Sequence, residues 1–111
     1  MKSFADAFRG LFIAIRRERH MKIHLAAVVI VFTAAGFFKV EPWAWVALIL
    51  VCALVIAAEL FNTAIERLCD KIDLEACPII RDIKDIAAGA VLVCAVAAVA
   101  IGVIVFWREI F

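Results

Sequence analysis

The chain predicts an all-α integral membrane protein, on three observations. Apolar residues fill 68% of its 111 positions and the mean hydropathy is +1.12, far above a water-soluble domain. The apolar positions gather into three long runs, each near the about 20 residues that a bilayer-crossing helix needs. Lys and Arg are spread unevenly between the ends of those runs. One membrane domain over residues 1–111 is expected, with a surface helix over 1–20 and membrane helices over 22–38, 42–73 and 83–108.

In the first segment Phe4, Phe8, Leu11, Phe12 and Ile15 recur at spacings of three and four, while Arg9, Arg16, Arg17 and Arg19 lie largely elsewhere. That pattern predicts an amphipathic helix lying in the membrane interface. It is too charged, and its apolar positions too spaced out, for a signal peptide. The run Ile23–Phe38 is slightly short for a span, and snorkelling of Lys22 and Lys39 extends it. Pro42 suits the N1 position of the second membrane helix, whose pattern continues past the bilayer to Asp73. Pro78 breaks the connection that follows. The third membrane helix then carries Gly89, Ala90, Ala97 and Gly102, small enough to let helices approach closely.

Six Lys and Arg precede the first span, one separates the first from the second, four separate the second from the third, and one follows the third. The positive-inside rule therefore puts the N-terminus and the 67–85 connection in the cytoplasm. Trp43, Trp45 and Trp107 then all fall at the outer interface, where Trp is enriched.

Composition narrows the chemistry. Asn62 is the only asparagine, the hydroxyls are Ser3, Thr33 and Thr63, and Gln and Tyr are absent. Catalysis is left to carboxylates and Lys, with little material for a Ser/His or Cys/His nucleophile. Cys52, Cys69, Cys77 and Cys94 form no CxxC and lack a matching His pair, which argues against a zinc site. Cys52 and Cys94 fit as small packing residues. A net charge of +1 gives no reason to expect a nucleic-acid partner.

The most informative stretch runs from Glu59 to Asp73, directly off the apolar run that begins at Pro42. At about 100° per residue, Glu59, Asn62, Glu66, Asp70 and Asp73 share one stripe less than roughly a third of the helix circumference wide. Stacked like charges repel unless a cation sits among them. A solvated helix end explains Asp70 and Asp73 equally well, but it explains Glu59 poorly, because ionisable groups at membrane depth are costly and usually functional. Asp82 and Asp85 suit the first turn of the third membrane helix; Lys84 does not, unless an anion is nearby.

Phosphoryl transfer needs a divalent ion, a cation on the transferring group and a base for the attacking hydroxyl. Glu66 can hold magnesium, Lys84 can meet a phosphate of ATP, and Glu59 can act as the base, its pKa expected to rise toward neutrality by burial. Magnesium uses one or two carboxylates besides phosphates and waters, and Glu18 is the second candidate, although it can equally be an exposed partner for neighbouring Arg. Glu59 lies deepest, where a membrane lipid alcohol presents its hydroxyl, and Glu66, Asp70 and Lys84 lie toward water. The gradient suggests a lipid kinase, and Ala87, Ala88 and Gly89 would leave a groove for a bulky isoprenoid near Glu59.

Ala7-Phe-Arg-Gly10, Glu18-Arg-His-Met-Lys-Ile-His24, Glu59-Leu-Phe-Asn-Thr-Ala-Ile-Glu66 with Asp70, and Lys84-Asp-Ile-Ala-Ala-Gly-Ala-Val91 span most of the chain. Together they resemble the small bacterial integral-membrane lipid kinases, diacylglycerol kinase and undecaprenol kinase, and more closely the undecaprenol kinase branch. The resemblance implies a homotrimeric bundle in the bacterial inner membrane, multi-pass, with active sites shared between subunits and facing the cytoplasm. It implies ATP with Mg2+ as phosphoryl source, Glu59 as catalytic base, Glu18 and Glu66 as metal ligands, and Asn62, Asp70, Lys84 and Asp85 around the nucleotide. His20 departs from the Asn common in that branch. His20 and His24 are expected to face solvent or headgroups rather than a metal.

Phosphorylation of undecaprenol is the leading expectation, with diacylglycerol as the other acceptor. From a different class, a small proton-coupled transporter would also keep a carboxylate in the membrane, but near its middle and without Lys84-Asp85 at a cytoplasmic loop. A noncatalytic assembly subunit is the third reading.

Overall fold

A computed structural model describes residues 2–72 and 77–111 as four α-helices: α1 (Lys2–Arg17), α2 (Arg19–Phe38), α3 (Pro42–Ile72) and α4 (Pro78–Ile110). Asp73, the last member of the expected stripe, lies outside the described residues. The last three helices are long and apolar enough to cross a membrane. Their outward faces are as apolar as their inward ones, with Val29, Leu50, Val93 and Val96 all at least 60% exposed. A surface of that kind is stable against lipid, where backbone polar groups are satisfied within each helix.

The helix bounds differ from expectation in two places that matter. The first helix, expected to reach residue 20, stops at Arg17, and Glu18 breaks the chain in an extended conformation (φ −103°, ψ 119°) before α2. Glu18 stands at the N-cap of α2, yet its side chain makes no capping hydrogen bond, so its carboxylate is free for other work. The last helix, expected from 83, opens at Pro78, because proline is preorganised for N1 and its missing N–H costs nothing there. Asp82 and Asp85 consequently lie beyond the first turn, which holds no acidic residue. The helix-dipole explanation for them lapses, and Lys84 is no longer misplaced.

α2 and α3 are joined by a tight turn over Lys39–Glu41, with Lys39 in the left-handed region (φ 52°) and its N–H, with that of Val40, donated to the carbonyls of Gly36 and Ala35. A link this short makes the two helices antiparallel neighbours. At that end Ala35, Val40, Ala44, Leu48 and Val105 form a buried cluster, closed by Phe32, Phe38, Trp45 and Phe106. Phe32 stacks on Trp45 with centroids 5.9 Å apart, and the Arg108 guanidinium lies 5.8 Å over Trp43.

α3 is the centre of the bundle, packing most heavily on α4 and then on α2. Its 31 residues make it about 46 Å long, well beyond the about 30 Å of bilayer hydrocarbon. Counting about 20 residues from Pro42 puts the edge of the hydrocarbon near Asn62. The two glycines of α4 make no close contact within the chain: a Cβ on Gly89 or Gly102 would meet nothing within 4 Å.

Candidate active site

The inward face of α3 is one stripe along its whole length. Ala44, Leu48, Val51, Cys52 and Val55 are buried on it, and so are Glu59, Asn62 and Thr63 one and two turns further on. Helical periodicity forces this continuity, since residues three and four apart share a face. The stripe changes from apolar to polar at Glu59 without leaving the packed face.

Three pairs organise the polar part. Glu59, 4% exposed, places Oε2 3.4 Å from Nε2 of His24, which reaches it from α2. Asn62 donates from Nδ2 to Oε1 of Glu66 at 3.0 Å, one turn along α3. Asp70, fully at the water end, accepts a hydrogen bond from Lys84 Nζ of α4. Burial falls along the series: Glu59 and Asn62 are buried, Glu66 is half-buried and Asp70 is exposed. Glu18 is half-buried and Asp85 exposed, and neither enters these pairs.

Two expectations are corrected by this geometry. The anion beside Lys84 is Asp70 itself, so no bound phosphate is needed to explain that lysine. His24 turns toward Glu59 instead of toward solvent or headgroups, while His20 is exposed. The His24 contact was the functional feature missed in the sequence. Counting back from the 39–41 turn would have found it, because antiparallel neighbours put His24 about level with Glu59.

Apolar space flanks the site. A groove of about 580 Å³ runs between α1 and α3, lined by Ala7, Gly10, Leu11 and Ala14 on one side and Leu60 and Thr63 on the other. The expected groove at Ala87–Gly89 is not the one formed beside the Glu59 turn: Ala87 is buried in packing and Ala88 faces outward. A second space of about 180 Å³ sits beside His24 among α2, α3 and α4.

The donor set suits a hard cation. Glu66 is held in place by Asn62, and Asn62 Oδ1 is buried with no hydrogen-bond partner among the described residues, an acceptor left over beside a carboxylate. Among the described residues no three His, Cys, Asp or Glu side chains converge, so these side chains form no closed protein cage. Magnesium does not need one, since it keeps waters and takes phosphate oxygens.

Fold and site together define a small three-span membrane protein with an acidic stripe that is buried at one end and wet at the other. Residues 5–106 match the family profile of prokaryotic diacylglycerol kinase. Over 105 residues the chain is 36% identical to the undecaprenol kinase of Bacillus subtilis, covering 95% of this chain and 85% of that protein. Over 101 residues it is 39% identical to a diacylglycerol kinase of a Synechocystis species, covering 90% of this chain and 58% of that one.

The chain belongs to the prokaryotic diacylglycerol kinase family. It is a lipid kinase of the membrane, and kinase activity in this family implies ATP as co-substrate. The transporter and assembly-subunit readings are thereby set aside.

Proposed function

We propose that the protein transfers the γ-phosphoryl group of ATP to undecaprenol, giving undecaprenyl phosphate, at the cytoplasmic face of the bacterial inner membrane. The observation that carries the chemistry is the burial of Glu59 on the same stripe as the water-facing Glu66 and Asp70. Glu59 is the general base: it sits at lipid depth, where the acceptor's hydroxyl arrives, and takes its proton as the oxygen attacks. Asn62 fixes the Glu66 carboxylate by its 3.0 Å hydrogen bond. Glu66 and Glu18 would hold Mg2+, which neutralises charge on the transferring phosphoryl group when bound. Lys84, Asp70, Asp85 and Asn62 line the nucleotide side. Because the Asp70–Lys84 pair is exposed, it is held weakly and Lys84 can turn to a phosphate.

The α1–α3 groove supports an isoprenoid chain beside Glu59, and α1 in this reading lies along the interface with Phe4, Phe8 and Phe12 in lipid. The subunit works as a homotrimer with shared active sites: among the described residues Glu18 joins no group of three metal-ligating side chains, and a Cβ at Gly89 or at Gly102 would meet nothing within 4 Å, which leaves α4 room for a close neighbour. Diacylglycerol is the second reading, favoured by the 39% identity to the Synechocystis protein.

The test is side-by-side turnover in mixed micelles with Mg-ATP. Undecaprenol is expected to be phosphorylated faster than diacylglycerol at matched surface concentration, by about 10- to 200-fold, the range apolar discrimination reaches. A diacylglycerol rate equal to or above the polyprenol rate would make it a diacylglycerol kinase.

A further inference from the structure

A general base must present one carboxylate oxygen to the acceptor's hydroxyl in a fixed direction, and rotamers that point it away do not react. Glu59 has only 5% of its side chain exposed. The structure supplies one side chain from a neighbouring helix that can hold it. His24, on α2, brings Nε2 within 3.4 Å of Oε2 while remaining 22% exposed itself.

The rest of the surroundings leaves His24 alone in that task. The space beside the pair is walled by Ala27, Val28, Val31, Cys52, Val55 and Ala95, which offer no charge. The charged and titratable groups at this end of the packed elements are Glu18 at the α1–α2 break, Arg19, His20 and Lys22 on α2, Glu66, Arg67, Asp70 and Lys71 on α3, and Arg81, Asp82, Lys84 and Asp85 on α4. Among the described residues none of these forms an ion pair with His24 or Glu59, and Lys84 is engaged by Asp70.

We infer, on the reading of Glu59 as the base, that His24 is a positioning residue for phosphoryl transfer. Its Nε2, 3.4 Å from Oε2 of Glu59, anchors that oxygen and leaves the second oxygen, Oε1, for the acceptor's hydroxyl. A carboxylate has two oxygens, so one can be anchored while the other reacts. A single anchored orientation also removes rotamers that would point the base away from the hydroxyl.

The experiment compares His24→Leu, which removes the donor, with His24→Gln, whose side-chain amide N–H can donate from a similar place. For His24→Leu, kcat near neutral pH is expected to fall about 10–100-fold, less than the about 10²–10⁴-fold loss of the base itself, with KM for Mg-ATP unchanged. His24→Gln is expected to restore most of the rate. A loss that is not relieved by Gln, or wild-type kinetics in His24→Leu, would overturn the inference.

A second readout needs neither lipid nor ATP. Infrared spectra of the protein in bicelles are expected to show the carboxyl-group stretch of Glu59, assigned by its loss in Glu59→Gln, shifted in His24→Leu relative to the wild type and to His24→Gln. If the wild type phosphorylates no lipid alcohol, the kinase assignment fails while this band still reports on the pair. The same spectrum in wild type and His24→Leu would overturn the role given to His24.

Discussion

The two halves of α3 present the same helical face to the same bundle and do different work with it. In the half that begins at Pro42, Ala44 and Leu48 pack with Ala35 and Val105, and a ring of aromatics closes the cluster. In the half that ends at Ile72, the positions continuing that face are Glu59, Asn62, Thr63 and Glu66. An apolar side chain at any of them would pack as well or better, since buried polar groups carry desolvation costs that pairing only offsets. The difference teaches that the first half holds the helices in register and the second half, in the proposed reading, uses that rigidity to aim acids. Local rules broken inside a well-packed stripe mark the site.

The sharpest way to separate the halves is Glu59→Gln. It keeps shape and a hydrogen-bond acceptor for His24 but removes the basic oxygen, so phosphorylation is expected to fall about 10²–10⁴-fold while the protein still inserts and folds. A rate above about a tenth of wild type in a lipid-phosphorylation assay would reject Glu59 as the base.

Leu48→Ala addresses the other half. Leu48 is 1% exposed, and its truncation is expected to lower stability by about 2 kcal/mol, the low end for Leu→Ala, because lipid rather than water replaces the lost packing. Unfolding against a denaturing detergent measures it. Turnover per folded molecule should not change; if it falls as far as in Glu59→Gln, the two halves are not separable.

Glu66→Ala and Glu18→Ala should each raise the magnesium concentration giving half-maximal rate, with partial recovery at high magnesium for at least one. An ordinary magnesium curve for Glu18→Ala would leave it a surface charge beside Arg17 and Arg19. The smallest change is expected for Lys84→Met. Its ion pair with Asp70 is exposed, so stability should hardly move, whereas KM for Mg-ATP should rise. An unchanged KM would take Lys84 out of the nucleotide site.

Much of this was legible in the sequence because the signals are local. Hydropathy marked the three spans, and helical spacing marked Glu59, Asn62, Glu66 and Asp70 as one stripe. What periodicity could not supply was the partner on a neighbouring helix. The spacing of His20 and His24 says which face they share, not which helix that face meets, so His24 was assigned to solvent. Spacing likewise does not reveal the pairing of Lys84 with Asp70, since that contact spans 14 residues of sequence and depends on how α3 and α4 cross. The start of α4 was also misjudged: Pro78 signals a break and an N1 position with equal force, and the choice moves Asp82, Lys84 and Asp85 from the first turn to the second.

The most direct test of the division within α3 is to measure turnover and unfolding on the same preparations of Glu59→Gln and Leu48→Ala, with turnover normalised to folded protein. The predicted result is a crossed one. Glu59→Gln keeps or gains stability and loses nearly all phosphorylation of the lipid alcohol, and Leu48→Ala loses stability and keeps its turnover. Parallel losses in both properties for both variants would contradict it, because the inward face would then be a single structural seam with no separate chemistry at its polar end.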